Sequence, residues 1–330
     1  MSVTAHRLGF AVKVLGEGGL PSHDTRRWAS GPHLRHSLER LERILDYLDR
    51  NDIRMYRVAT ALAPYASHPG LPQFHDQVAE CAGELAAIGA LARERDIRLS
   101  SHPGQYTVLN SQSADVRAAA AAELEVQAAL FDAMGLGDEA VVVLHVGGSA
   151  RGKPAACDRF LAGLELLSEA ARRRLVVEND DRSFGVVDVV ALAERAGLRV
   201  VWDLLHHHCN DPDALSDRDA LAAALATWPE GVTAKIHYSS PRLDLEEQRV
   251  KRGRRVERRH VLPQLRAHAD LVDPIAFESF LTDVAGGRDF DVMLEAKAKD
   301  LALLRLREQL AARGFAAAGG RVAVPAAAAA

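Results

Sequence analysis

The sequence predicts one α/β domain, a (β/α)8 TIM barrel with elaborated loops at its C-terminal face and a frayed Ala-rich tail, and three observations point there. Short β-branched apolar runs alternate with amphipathic helical stretches, the pattern of a parallel sheet with crossover helices. Eight such runs occur, and Leu8 to Asp291 spans seven intervals of roughly 40 residues each, room for a strand, a helix and two loops. Six consecutive runs finish in an imidazole or a carboxylate, and in a barrel of this kind the functional groups come from the C-terminal ends of several strands. A chain of 330 residues and 35.7 kDa suits a single domain of that architecture.

In order, the expected strands are Leu8 to Val12, Arg54 to Ala59, Arg98 to Ser101, Val141 to Val146, Leu175 to Asn179, Val200 to Leu204, Thr233 to Tyr238 and Asp291 to Glu295. Between them, Leu34, Leu38, Leu41, Leu45 and Leu48 step by three and four, as a helix face buried against a sheet must. Similar stripes run through Leu85 to Leu91, Leu124 to Met134, Leu161 to Leu167 and Leu301 to Leu310. The connection Ser239 to Asp273 is longer than the others and reads as an elaborated loop at the active face. The barrel domain is placed at 1–314; from 315 to 330 the Ala-rich tail offers little packing surface and is expected to fray.

Composition narrows the class. The apolar fraction is 48% and the charged fraction 26%, which excludes a disordered or fibrous chain. No run of eighteen apolar residues exists, so no membrane span is expected, and MSVTAHRLGFAVKV lacks the apolar region of a secretory signal. A cytoplasmic protein is expected. Cys81, Cys157 and Cys209 are widely spaced without a CxxC pair, against a disulfide framework or a thiolate zinc site. The net charge of -4 conceals one strongly basic run: RVKRGRRVERRH, Arg249 to His260, holds seven Lys or Arg against one Glu. Alone, such a run is ordinarily a solvated face.

The strand ends carry the chemistry. His102 follows the third run, His145 the fourth, Glu178 the fifth, Asp203 and His206 the sixth, His237 the seventh and Glu295 the eighth, with His68 in the segment after the second. One imidazole at a strand end is ordinarily a hydrogen-bonded core group. A whole set in apolar runs such as VVVLHVG and LVVEND would be costly to bury unpaired, whereas shared divalent cations remove that cost for all members together. The reading is a site for two to three divalent ions, and the same ligands suit Mn2+, Zn2+ and Co2+ alike. Lys235, two before His237, and Lys297, two after Glu295, share a strand side with those ligands by period two. An inward Lys235 is expected to be neutral, engaged with an anionic substrate group, or modified to an anionic ligand; otherwise it pairs with a carboxylate below the site or snorkels from the mouth.

With these residues in view the chain resembles the ultraviolet damage endonucleases, relatives of endonuclease IV and xylose isomerase, from about Arg7 to Lys299. The matching segments are LGF near Leu8, NDIRMYR near Arg54, APYASHP around His68, LSSHPGQY around His102, VVLHVGG around His145 and VVENDDR around Glu178. They continue with VWDLLHH around Asp203, AKIHYSS around His237, AHADLV around His268 and DVMLEAKAKD around Glu295. The resemblance implies a monomeric, metal-dependent DNA repair nuclease acting on double-stranded DNA. It would nick immediately 5′ to ultraviolet photoproducts, cyclobutane dimers and 6-4 photoproducts, with abasic sites as further substrates, and leave a 3′-hydroxyl and a 5′-phosphate. By motif, His68, His102, His145, Glu178, Asp203, His206, His237, His268 and Glu295 correspond to metal ligands, with His260 the fallback for His268. Gln105 and Tyr106 resemble the pair that probes the duplex at the lesion, a role that suits an exposed amide and ring. Phe10 stands where the family commonly has a tyrosine, and keeps a ring for stacking at the lesion.

Hydrolysis of a phosphodiester needs a nucleophile at neutral pH, neutralisation of the phosphate and stabilisation of the leaving oxygen, and clustered divalent ions supply all three. Glu178 is expected to be the shared catalytic carboxylate, and Lys235 to assist the departing 3′ oxygen. Lys251, Arg252, Arg254 and Arg255 of the basic run are expected to contact DNA phosphates. The alternative is a metal-dependent sugar isomerase or epimerase of the same superfamily, for which fewer imidazoles and no basic loop are expected.

Overall fold

The computed structural model describes residues 4–253 and 255–325, and the architecture is mixed α/β. Each of the eight expected runs holds a strand: β1 (Ala5–Ala11), β2 (Met55–Arg57), β3 (Arg98–Ser100), β4 (Val142–His145), β5 (Leu175–Glu178), β6 (Arg199–Val201) and β7 (Ala234–Tyr238) come first. After them come β8 (Glu246–Arg252) and β9 (Arg255–Val261), then the eighth run as β10 (Phe290–Leu294), then β11 (Ala316–Ala318) and β12 (Arg321–Ala323). Parallel pairing runs β7-β10-β1-β2-β3 in one sheet and β4-β5-β6 in another. Single parallel bridges, Ser101 to Val142 and Asp203 to His237, connect β3 with β4 and β6 with β7.

Helices cross between consecutive strands because each presents an apolar stripe to them. Leu34–Arg50 buries Leu34, Leu38, Leu41, Leu45 and Leu48, the predicted stripe, and its N-terminus is capped by His33, whose Nδ1 accepts from the Arg35 amide. Ser113, Ser168 and Ser216 cap three later helices in the same way. No helix among the described residues is long and apolar enough to cross a membrane.

Register decides what faces inward. Lys235 lies opposite Asp291, His237 opposite Met293, and His145 opposite Glu178, so period two directs the strand-end groups to one side at one level. Gly9 is on that side, packed so closely on β2 that a Cβ would meet the Met55 carbonyl at 2.7 Å. Deeper, Arg98 and Asp291 form a buried pair at 2.8 Å. The carboxylate beside Lys235 is thereby already engaged, so the pairing of Lys235 with a carboxylate below the site does not occur.

One expectation is corrected. The chain beyond Gly314 does not fray as far as residue 325: β11 and β12 form a hairpin whose second strand pairs antiparallel with β1, His6 opposite Val322. Phe315, Val322 and Val324 are buried, so the alternating valines supply the packing surface that the alanines lack. Residues 326–330 lie outside the described residues. The long connection after β7 is elaborated, as expected, and its elaboration is the antiparallel hairpin β8–β9 with a turn at Gly253, φ +63°.

Candidate metal centre

Seven of the nine predicted ligands converge. Ligand atoms of His102, His145 and Glu178 lie within 4.8 Å of one another, as do those of Glu178, Asp203 and His206, and those of Asp203, His237 and Glu295. Glu178 and Asp203 each belong to two groups, so three overlapping sets form one cluster. Glu178, fully buried at the end of β5, is the hub: its Oε2 is 2.9 Å from His102 Nε2 and 3.5 Å from His145 Nε2, and its Oε1 accepts from His237 Nδ1 at 2.8 Å. Asp203 caps the helix Leu204–Cys209, accepting from the His206 amide at 2.8 Å, and that turn brings His206 Nδ1 to 3.5 Å from Glu178 Oε1. Sequence spacing set this local geometry, since a cap and its N3 residue lie on one turn.

His268 stands beside the cluster, its Nδ1 2.9 Å from the Glu295 carbonyl and 3.7 Å from the Glu295 carboxylate. A single antiparallel bridge to Pro241 holds it there. His260 is exposed on β9 opposite Glu247, so His268 and not His260 meets the site. The structure does not bring His68 in: it is exposed, its Nδ1 accepts from the Gly70 amide at 3.1 Å, and it joins none of the three groups. Its loop turns the ring back on its own backbone.

Arg57, which sequence reasoning missed, enters the cluster from the end of β2. Its Nη2 donates to His237 Nε2 at 2.9 Å and forms an ion pair with Glu295. The available signal was the shared parity of Arg57 with Met55, which puts a charge on the same strand side as an apolar residue.

Electrostatics follow from this crowding. Burial works to raise Glu178, but His237, His145 and His102 hold it well below the usual carboxylate range. Burial and the neighbouring Glu178 and Glu295 raise Asp203 against the pull of His206. Burial works against charge on His206, yet Asp203, Glu178 and Glu295 raise it to about 9. Burial lowers His237 to about 4, consistent with a neutral ring that accepts from Arg57 and donates to Glu178. Lys235 is fully buried, donates to Ser100 Oγ at 3.1 Å, and is pushed well below its ordinary value by burial, Arg57 and Arg98. Lys297 is exposed; β10 ends at Leu294, so the period of two does not extend to it.

The donor set fits divalent cations. Asp203 Oδ2 and His145 Nδ1 are buried without a partner. Three carboxylates crowd together, of which Glu295 pairs with the Arg57 guanidinium, and imidazole with carboxylate suits borderline divalent ions. His102 Nδ1 faces the Pro103 carbonyl at 3.1 Å while Nε2 faces Glu178, so a neutral ring turns a lone pair toward an acceptor unless a cation lies between.

Around the cluster, Gln105 and Tyr106 are exposed after β3, Tyr106 at 85%. A cleft of about 380 Å³ is lined by Gln105, Gly148, Asp180 and Ser183 together with His145 and His206. Phe10 is corrected: it is 0% exposed, on the face of β1 opposite Gly9, edge-on to Tyr56 at 5.4 Å, and so cannot touch a lesion. Lys251, Arg252 and Arg255 are exposed on the hairpin, whereas Arg254 lies outside the described residues.

A family model described as UV-endonuclease UvdE matches residues 33–322. A UV DNA damage endonuclease of Bacillus velezensis is 32% identical, covering 82% of this chain and 79% of its own length, and that of Bacillus pumilus is also 32% identical, covering 84% and 82%. Among solved structures, SacUVDE superposes with a TM-score of 0.78 at 29% identity, covering 93% of this chain and 99% of its own. D-psicose 3-epimerase from Clostridium cellulolyticum H10, at 12% identity and a TM-score of 0.50 over 93% and 96%, shares the fold.

Proposed function

The chain belongs to the UV-endonuclease UvdE family, and from that premise we propose that this endonuclease repairs ultraviolet-damaged DNA by a metal-dependent cut immediately 5′ to the photoproduct. The substrates are cyclobutane dimers, 6-4 photoproducts and abasic sites, and the products a 3′-hydroxyl and a 5′-phosphate. The observation that carries this reading is the hub position of Glu178, shared between two ligand groups in one buried cluster. Two to three divalent ions, manganese first, would be held by His102, His145, Glu178, Asp203, His206, His237, Glu295 and His268, and would supply an activated nucleophile and charge neutralisation at the phosphate. Arg57 fixes the orientation of Glu295 and His237 through its Nη2, which meets both. Lys235, an amine beneath the cluster that rests neutral, would take up the proton released by the attacking water and pass it to the departing 3′ oxygen. Gln105 and Tyr106 press on the base stack at the lesion, where damage lowers an unstacking cost that is ordinarily a few kcal/mol.

We propose further that the eight parallel strands close as one (β/α)8 barrel within a single folded unit; the two bridges at β3–β4 and β6–β7 support closure. The sugar isomerase reading is not favoured. It rests on shared fold alone, and the cluster of imidazoles beside a basic hairpin is unlike what a neutral sugar needs.

The test is a nicking assay with manganese on a labelled duplex carrying one thymine photodimer, beside an undamaged duplex and a chelator control. One chelator-sensitive cut directly 5′ to the dimer is expected; no cut by folded, metal-loaded protein overturns the reading.

A further inference from the structure

The segment between β7 and the helix Pro274–Ser279 carries features that the cut itself does not use. In the hairpin β8–β9, opposed residues share a face: Arg249 lies opposite Arg258 and Lys251 opposite Val256 on one face, Arg252 opposite Arg255 and Gln248 opposite Arg259 on the other. The first face is exposed throughout; the second, which also carries Val250 opposite Glu257 and Glu246 opposite Val261, is half-buried at Glu246, Val250 and Val261, and each face carries more cations than anions. A ribbon that rests on its own domain keeps one apolar face for it, and this one has none. Its two legs, 242–245 and 262–267, carry Leu243, Leu245, Leu262 and Leu265, all between 58% and 82% exposed. The base is rigidly tied: Arg242 donates its amide to the Ala267 carbonyl at 2.7 Å, and its guanidinium reaches Glu246 and Asp270, each at 2.9 Å. One residue below, the bridge from Pro241 to His268 joins the legs to the metal centre.

We propose that residues 242–253 and 255–265 form a second duplex-gripping element: the ribbon enters the major groove, with cations of each face reaching one phosphate wall, and the four leucines rest on base and sugar surface bared where the duplex is unstacked. The inference rests on the endonuclease reading. Charge on both faces matches a groove with anionic walls on both sides, whereas a flat phosphate surface would use one face. Width selects the groove, since a two-stranded ribbon fits the major groove of about 12 Å and not the minor groove of about 6 Å. The leucines follow from position. They stand between the ribbon and His268, hence beside the stretch to be cut, and unstacked bases offer them the apolar contact that regular duplex withholds.

The experiment measures binding of labelled duplexes, one with a thymine photodimer and one undamaged, across a salt series. Arg249→Gln/Lys251→Gln/Arg258→Gln is expected to make the slope of log affinity against log salt shallower by about two to three, equally on both duplexes. It is also expected to lose protection of guanine N7 from dimethyl sulfate, the major-groove mark. Leu243→Ser/Leu262→Ser is expected to keep the slope but lose at least roughly fivefold in preference for the damaged duplex. An unchanged slope in the triple variant, protection at adenine N3 in place of guanine N7, or a leucine variant that abolishes a dimer in sedimentation with its preference intact would each overturn the proposal. Nicking by the wild type separates the two readings: wild type that cuts 5′ to the dimer while the variants bind as it does overturns the ribbon alone, and wild type that binds without cutting overturns the endonuclease reading.

Discussion

Glu178 holds its charge through three imidazoles and not through solvent, so removing that charge while keeping its shape isolates its chemistry. Glu178→Gln is expected to leave the circular dichroism spectrum unchanged and to lower nicking by at least about a thousandfold, because both overlapping ligand groups lose their shared anion. Wild-type turnover would remove Glu178 from the site. Arg57→Met takes the donor from His237 Nε2 and the counter-charge from Glu295; inductively coupled plasma analysis is expected to show altered metal stoichiometry, and retention of both stoichiometry and activity would reduce Arg57 to packing. Away from the cluster, Asp24 is held well below the usual carboxylate range by the Arg26 guanidinium, against burial and with help from the His33 and Arg26 amides. A depressed folded value means the contribution is complete above the unfolded value of about 3.9 and is lost as pH falls below it. Urea titrations are therefore expected to show Asp24→Asn less stable than wild type by about 1–2 kcal/mol at pH 7 and the gap closing below about pH 4; a gap that persists in acid would assign the effect to geometry.

Elements were legible in the sequence where burial imposes a period, and illegible where it does not. The runs VVVLH and LVVE announce strands because both faces are covered, and their last residues announce the site because a charge ends an apolar run. LGFAV is apolar throughout, so its two faces cannot be told apart, and the tight packing of Gly9 on Met55 that turns Phe10 away from the interior is visible only in three dimensions. RVKRGRRVERRH has no apolar face, hence no strand signal beyond a glycine near its centre. The C-terminal hairpin hid behind alanines, although Gly319 and Gly320, φ +59° and +68°, supply a tight turn. Ending the chain at Gly314 would uncover β1 and remove buried Phe315, Val322 and Val324. At about 1.5–3 kcal/mol per buried large side chain, discounted for a compact unfolded state, a loss of roughly 3–6 kcal/mol is expected in chemical denaturation; an unchanged midpoint would return the tail to a dispensable role.

Across the whole molecule the interior is divided by charge. At one end Arg98 and Asp291 neutralise each other in a buried pair, and at the other Glu178, Asp203 and Glu295 crowd together with Arg57 paired to Glu295, so negative charge accumulates in the cluster. Apolar packing between strands and helices is continuous around it and does not pass through the cluster. Cation binding should therefore add stability without being required for folding, unlike a closed structural site whose ligands hold the chain together. Thermal melts are expected to rise with manganese, by about 2.7 kcal/mol once free metal exceeds its dissociation constant a hundredfold, and the chelated protein is expected to keep its secondary structure with a melting point lower by several degrees. Glu178→Gln should flatten that manganese response. Unfolding on chelation would mean that the cluster is a structural centre, and would move the reading of this cluster from catalysis to architecture.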